Sequence, residues 1–527
     1  MRDFQLPGRS PVFACNGMCA TSHPLAARAA VSILEDGGNA VDAAIAAAVL
    51  LGICEPGSTG IGGDCFFLIK PAGEDRIVGV NGSGRSPAGL RASELRDAGH
   101  KVMPLREAAA ITVPGAIDAF VRVSADLGRL GLACSLAPAI RYAEEGVPVG
   151  ARTAFDWVDA DPHLKGAARR HFLLDDKAPR PGQLFRAPGQ AEVLRRVARD
   201  GRAAFYEGEV AEDMVSSLRA LGGTHTLDDF AATACDYVEP ISREYRGTEL
   251  VELPPNGQGA TALLMAKILE RFDLSSLEPF GAARAHLEAE AGKLAYDARN
   301  RFIADPGMPG SRLEHMISDE TAERLAALID PAQAMQSPEK AAEAVHSDTV
   351  YLCVVDKDRM IVSLIYSVFK GFGSGLASDR FGIGFQNRGA GFSLEAGHPN
   401  EAAGSKRPLH TIIPAMLKRA GKVIMPFGVM GGQYQPTGHV RVLTNMIDFG
   451  MHPQQAIDGP RSFAGLEELR VERGYGADVR AELSALGHTV ATTQKPLGGA
   501  QAILIDDELG VLQGASDPRK DGCALGY

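Results

Sequence analysis

HSDTVYLCVVDKDRMIVSLIYSVFKGFG, residues 346–373, holds two runs rich in β-branched residues, 349–355 and 360–367, separated by Asp356, Lys357, Asp358 and Arg359. Apolar runs of this length around a short polar cluster predict a β-hairpin. With a three-residue loop at 357–359, Asp356 pairs with Met360 and Thr349 falls opposite Ser367. A slip of one residue would put Tyr366 there instead, because side chains alternate faces along a strand. Two facing hydroxyls at the open end of a hairpin can be ordinary cross-strand glue. The hairpin alone therefore assigns no function.

Upstream of it, residues 24–36 (PLAARAAVSILED) carry apolar residues at helical spacing. Gly37, Gly38 and Asn39 interrupt the pattern, and NAVDAAIAAAVLLGI (39–53) starts a second helix. That helix is so rich in small apolar residues that it should be buried on most sides. EPGSTGIGG (55–63) predicts a glycine-rich turn before a strand at 64–70; it lacks both GxxxxGK[ST] and the Rossmann spacing, so it is not a phosphate cradle. NGSGRSPA (81–88) predicts another turn, with Arg85 as its one charge. Residues 111–200 read as largely helical, 245–259 as a strand and the loop PPNGQG, and 285–306 as part of a long helical region. The polar, alanine-rich 320–345 reads as a mobile connector delivering the chain to Thr349. Beyond the hairpin come a strand around 411–417, a glycine turn at 428–432 and a helix around 440–449. The mixture, with strands concentrated C-terminally, predicts an α+β fold, a four-layer α-β-β-α sandwich.

The 527 residues are 45% hydrophobic and 23% charged, with a formal net charge of −11. Such a chain buries a large core. Its acidic balance, without a dense Lys/Arg run, argues against nucleic-acid or membrane-surface partners. The N-terminus shows no apolar signal core, and the longest apolar run, 43–54, is too short to cross a bilayer. The expectation is a cytoplasmic protein. Eight cysteines lie scattered, as small buried hydrophobes do. Cys15 and Cys19 have no second ligand pair at zinc spacing, so no metal is expected. HEXXH, GxSxG, Walker A and EF-hand patterns are absent. His346 lies near Thr349, in a polar connector where an exposed histidine is the ordinary case. Metal, nucleotide and serine-triad chemistry are unsupported, and no cofactor is expected.

Ordered motifs run through nearly the whole chain: GGNAVDAAIAAAVLLGICEPGSTGIGGDCF (37–66), ITVPGAIDAF (111–120), PPNGQGATALL (254–264), YDARNRFIADP (296–306), TVYLCVVDKD (349–358), KRPLHTIIP (406–414), GVMGG (428–432) and QGASDPRKDGCALGY (513–527). Together they resemble the gamma-glutamyltranspeptidase family of N-terminal-nucleophile hydrolases. The resemblance implies a proenzyme that cuts itself at Asp348–Thr349. Thr349 Oγ would attack the Asp348 carbonyl, an N→O shift would give an ester, and water would release a large subunit, 1–348, and a small one, 349–527. The two form one intertwined catalytic domain, with a homodimer of such pairs left open. The freed α-amine, with a reference pKa of about 7.7–8.0, then acts as general base to its own hydroxyl. By the same resemblance Ser367 is the supporting second hydroxyl. Gly431 and Gly432 supply oxyanion-hole N–H groups, and Arg85 grips the substrate carboxylate.

The departures from the family pattern concern the substrate. Gly391 stands where transpeptidases place the Asp that holds the glutamyl α-amine. Phe369 replaces an Asn, the carboxylate-holding serine pair becomes His410 and Thr411, and Arg388 adds a cation nearby. The loop between Phe392 and Arg407 is short and lacks the lid tyrosine. A pocket that keeps carboxylate-binding groups but loses the amine-binding acid discriminates against an α-ammonium. The resemblance thus implies an amidohydrolase for a small-molecule amide whose acyl group bears a carboxylate and no α-amine, oxamate-like or glutaryl-like. The alternatives are a γ-glutamyl hydrolase or transferase acting on glutathione, and an uncleaved, non-catalytic binding relative.

Overall fold

The structure, a computed structural model, describes residue 5 and residues 8–335, 349–465 and 467–527. Asp348 and His346 lie outside the described residues, as does 336–345 of the expected connector. The hairpin has the expected register. Strands Val350–Val355 and Ile361–Ser367 are antiparallel, with Val350 opposite Tyr366 and Val355 opposite Ile361. Asp356 N–H donates to Met360 O at 3.1 Å, and Arg359, at φ +59°, closes the three-residue loop. One Asp356 carboxylate oxygen accepts from the N–H groups of Asp358 and Met360, each at 2.9 Å, an Asx-type turn that fixes the loop locally. The other accepts from Ala40 N–H at 2.9 Å, tying the hairpin tip to the first turn of helix Ala40–Cys54. The open end is thereby aimed at the opposite side of the sheet.

Two seven-stranded sheets stack face to face. One runs Cys523–Gly526, Met18–Thr21, Val350–Val355, Ile361–Ser367, Asp64–Lys70, Val78–Gly82, Asp236–Val238 in spatial order; the other runs Val12–Ala14, Val511–Ser516, Gly499–Asp506, Lys422–Met430, Ala415–Arg419, Thr248–Glu252, Ile241–Tyr245. The alternation along Val350–Val355 defines the layers. Val350, Leu352 and Val354 pack with the helix Ala40–Cys54, every residue of which is buried. Tyr351, Cys353 and Val355 point the other way, into the core between the sheets. A third core lies between the second sheet and the helices Gly259–Leu269, Ala282–Phe302 and Gln435–Ile447. This is the α-β-β-α sandwich. Both faces of each central strand are covered, so the hydrophobic term acts on both.

Several local expectations shift. Asn81 and Gly82 end a strand rather than open a turn. The strand expected around 411–417 is Ala415–Arg419 and the helix expected at 440–449 is Gln435–Ile447. The start of the connector is a helix, Asp319–Ala326, capped by Ser318, whose side chain accepts from Thr321 N–H. Gly428 belongs to a strand, Lys422–Met430. A Cβ there would lie 2.4 Å from the Tyr351 ring, so this glycine serves the close approach of the two sheets rather than a turn. All eight cysteines are free thiols. No described helix is long and apolar enough to cross a membrane.

Candidate active site

The hairpin register puts Thr349 beside Ser367: Thr349 Oγ1 donates to Ser367 Oγ at 3.3 Å, and both residues are buried. Ser367 ends its strand, and its oxygen turns back to accept Phe369 N–H at 2.8 Å. Phe369 itself takes a left-handed φ of +81°. The same Ser367 Oγ accepts from Arg388 Nη2 at 3.2 Å, while Arg388 Nη1 donates to Thr411 Oγ1 at 2.9 Å. The guanidinium lies over the Phe369 ring, 4.4 Å from its centroid. Thr349, Ser367, Arg388 and Thr411 thus form one hydrogen-bonded chain. Arg388 is fully buried, its Nε has no hydrogen-bond partner, and among the described residues no carboxylate pairs with it. Burial lowers its pKa to about 9, partly offset by the more distant Asp64. It remains a cation at neutral pH, held by neutral groups.

Asp64 opens the neighbouring strand, opposite Ser367. Its Oδ1 accepts from the N–H groups of Gly84 and Gly115, each at 3.0 Å, and from Gln386 Nε2 at 2.9 Å. His410 Nε2 donates to its Oδ2 at 3.1 Å, and His410 Nδ1 accepts from Ile412 N–H at 3.4 Å. Burial, with Arg388 second, pushes the His410 pKa down to about 3, so the imidazole is neutral. Packed on Phe66 with ring centroids 4.8 Å apart, His410 is a support beneath the site. Asp64→Ala would strand three N–H groups and the imidazole, each without a partner in a dry interior. The expected loss is about 3–5 kcal/mol of stability, measured by urea unfolding.

On the other side of Thr411 stands the glycine turn. Gln258 Nε2 donates to Thr411 O at 2.6 Å and to Gly432 O at 3.0 Å. Gly431 and Gly432 have φ of +121° and +56°, a backbone that L side chains rarely adopt. A Cβ on Gly431 would also lie 2.8 Å from Gly498 Cα. Phe369, Thr411 and Gln433 form part of the wall of an open cavity of about 710 Å³, along with Arg299, Lys370, Gly391 and Leu409.

The structure therefore brings together Thr349, Ser367, Arg388 and Thr411, with Gly431 and Gly432 one hydrogen-bonding side chain away. It does not bring Arg85 or His410 to that wall. Arg85 is half exposed, donating to Asp305 Oδ2 at 2.9 Å and to Ser405 O at 3.3 Å. Asp64, Gln258 and Arg299 had no place in the residue reading, although all three lie within the quoted motifs. Among the described residues, His286, Glu290 and His488 are close enough to share an ion. They are satisfied without one: the two imidazoles hydrogen-bond at 2.8 Å, and Glu290 accepts from Lys293 Nζ at 2.7 Å and Met335 N–H at 2.8 Å.

The sequence profile described as gamma-glutamyltranspeptidase matches residues 26–527. The chain belongs to the gamma-glutamyltranspeptidase family. It is a hydrolase of the N-terminal-nucleophile class. It is 37% identical to the glutathione hydrolase-like YwrD proenzyme of Bacillus subtilis, over 97% of this chain and 98% of that protein. It is 36% identical to the oxamate amidohydrolase proenzyme of Klebsiella pneumoniae, again over 97% and 98%. The crystal structure of a cephalosporin acylase from Bacillus halodurans superposes with a TM-score of 0.93 at 38% identity, covering 100% of this chain and 99% of that one. Relatives in this family are named as amidohydrolases, acylases and glutathione hydrolases.

Proposed function

We propose that this family member hydrolyses amides of a short acyl group that carries a carboxylate and no α-amine, oxamate being the simplest, after cutting itself before Thr349. The observation that carries this reading is Arg388, a buried cation with a free Nε and no carboxylate partner among the described residues. Its Nη2 is 3.2 Å from Ser367 Oγ, which is 3.3 Å from Thr349 Oγ1. A carboxylate held by Arg388 therefore sits close to the carbonyl that Thr349 attacks. That fits an acyl group with its carboxylate on or near the carbonyl better than one with a long spacer. Position 391 argues the same way, because a Cβ on Gly391 would lie 2.4 Å from Leu409 O. An amine-binding aspartate has no room there.

In this reading the Thr349 α-amine takes the proton of its hydroxyl as Oγ attacks the amide carbonyl. The oxyanion that forms is received by the N–H groups of Gly431 and Gly432. Collapse expels ammonia or an amine with the proton from the α-amine, and water, activated by the same amine, releases the acid. For oxamate the sum is oxamate plus water giving oxalate and ammonia. The relative named as an oxamate amidohydrolase supports the choice. At about 710 Å³ the cavity also has room for a substituent on the amide nitrogen.

The test is ammonia release from oxamate beside turnover of γ-glutamyl-p-nitroanilide. Turnover of oxamate with the γ-glutamyl substrate at least tenfold poorer in kcat/KM is the expected result. Efficient γ-glutamyl turnover would overturn the reading and turn attention to Glu395, the acidic side chain on the described cavity wall, as a partner for the α-ammonium.

A further inference from the structure

Arg299, 1% exposed, is a buried cation in the cavity wall, on the helix Ala282–Phe302. Burial lowers its pKa to about 10. Its Nη1 donates to Gln258 Oε1 at 2.7 Å and to Gln433 Oε1, and its Nε and Nη2 donate to Asn300 Oδ1 at 3.1 and 2.8 Å. Tyr296 packs beneath it, 4.8 Å from ring centroid to guanidinium carbon, and donates its hydroxyl to Gln433 O. No carboxylate among the described residues pairs with Arg299. Every partner is a neutral amide or ring, so the charge is solvated by dipoles alone, an arrangement that costs stability unless the charge is used.

The partners show where it is used. Gln258 holds Gly432 O at 3.0 Å, and Gln433 is the next residue after Gly432. Arg299 thus holds the C-terminal end of the Gly431–Gly432 turn twice, once through the Gln258 side chain and once through Gln433. Holding the Gly432 carbonyl fixes the Gly432–Gln433 peptide, and the positive φ of both glycines carries that constraint back along the turn to their N–H groups. A cation close to that turn also lowers the energy of negative charge developing beside it.

We propose that Arg299 is a positioning residue for acyl transfer, holding the Gly431–Gly432 turn with its N–H groups aimed at the developing oxyanion and adding its charge to their field. This rests on the reading of those glycines as the oxyanion donors. It is separate from the role of Arg388, which meets the carboxylate already present in the ground state. An interaction realised only as the oxyanion forms raises kcat and leaves KM alone.

The test is Arg299→Gln, with Arg299→Lys keeping the charge, assayed on whichever amide the wild-type enzyme turns over. Two inhibitors accompany it: oxalate, planar, and a small carboxyalkyl boronic acid, which becomes tetrahedral on a threonine oxygen. For Arg299→Gln, kcat should fall roughly 10- to 100-fold, somewhat less than for loss of an oxyanion donor itself, with KM within about twofold. Boronate affinity should fall in parallel while oxalate inhibition holds, and Arg299→Lys should lose less of both. A rise in KM with kcat intact would make Arg299 a ground-state carboxylate anchor and overturn the proposal, as would equal losses for the two inhibitors or no loss at all. If Arg299→Gln does not fold or mature, the boronate-to-oxalate comparison on Arg299→Lys decides in the same sense. A wild-type enzyme inactive on oxamate but active on another amide would sink the substrate reading and leave this test intact.

Discussion

Thr349→Ala is expected to give one uncut chain with activity lower by at least about 10⁴-fold, the order seen when an enzyme loses its nucleophile. The fold should survive. Thr349 precedes the strand Val350–Val355, contributes no backbone pairing that alanine lacks, and its hydroxyl makes one 3.3 Å bond to Ser367. Removing it leaves Ser367 Oγ with Phe369 N–H and Arg388 Nη2, so the cost is about 1 kcal/mol. Intact mass checks the outcome directly: wild type gives two species, the smaller starting at Thr349, and the variant gives one of full length. Thr349→Ser keeps an attacking oxygen and should still cut, more slowly because serine loses the methyl group that helps fix the rotamer. A cut and active Thr349→Ala protein would remove Thr349 from both steps. An uncut, inactive wild type would instead favour the binding-protein alternative.

The fold was legible where the sequence carries strong local constraints. A strand pair with a polar three-residue loop has one register that satisfies Asp356, and that register alone places Thr349 against Ser367. The helix Ala40–Cys54 could be read as buried on most sides because it is apolar and rich in small residues, Asp42 being its one charge, which closes the capping box with Asn39. Gly428 misled for a physical reason. A glycine signals either positive φ or close approach, and sequence does not separate the two; here a Tyr351 ring from the facing sheet fills the place of its side chain.

The site was legible by halves. Thr349, Ser367, Arg388 and Thr411 fall into one hydrogen-bonded chain because three of them sit on or beside the hairpin and its neighbouring loop. Arg85 matches the family pattern in sequence and His410 departs from it, and each is tied to a carboxylate of its own. Asp305 draws Arg85 aside, and Asp64 holds His410 under the sheet. Arg299 shows the reverse. An arginine in a helical run reads as a solvated face, and only the packing reveals that it is buried with amides for company. Charge compensation is a three-dimensional property, so it is the part that sequence leaves out.

Arg388→Met separates function from stability at this site. Methionine fills the space over Phe369 without a charge, and the variant loses the partner of the substrate carboxylate. Truncating one member of a buried charge pair costs about 2–5 kcal/mol, so kcat/KM for oxamate should fall by roughly 10²–10³-fold. The folded protein should not suffer. In the free enzyme the cation is buried with an unpartnered Nε and, among the described residues, no carboxylate paired with it, and replacing such a charge by a well-packed apolar side chain is often neutral or stabilising. The melting temperature should hold or rise while activity collapses, as expected where a protein keeps an uncompensated charge for its ligand. The pH profile gives an independent check. The α-amine must be neutral to act as base, so kcat/KM rises through about pH 8. Arg388 must be protonated to hold the carboxylate, so with its pKa lowered to about 9 kcat/KM falls again above that pH. Without the guanidinium the residual activity should keep the acidic limb and lose the alkaline one. A melting temperature that drops with the rate would make Arg388 a structural residue, and the carboxylate would then have to be held by another group.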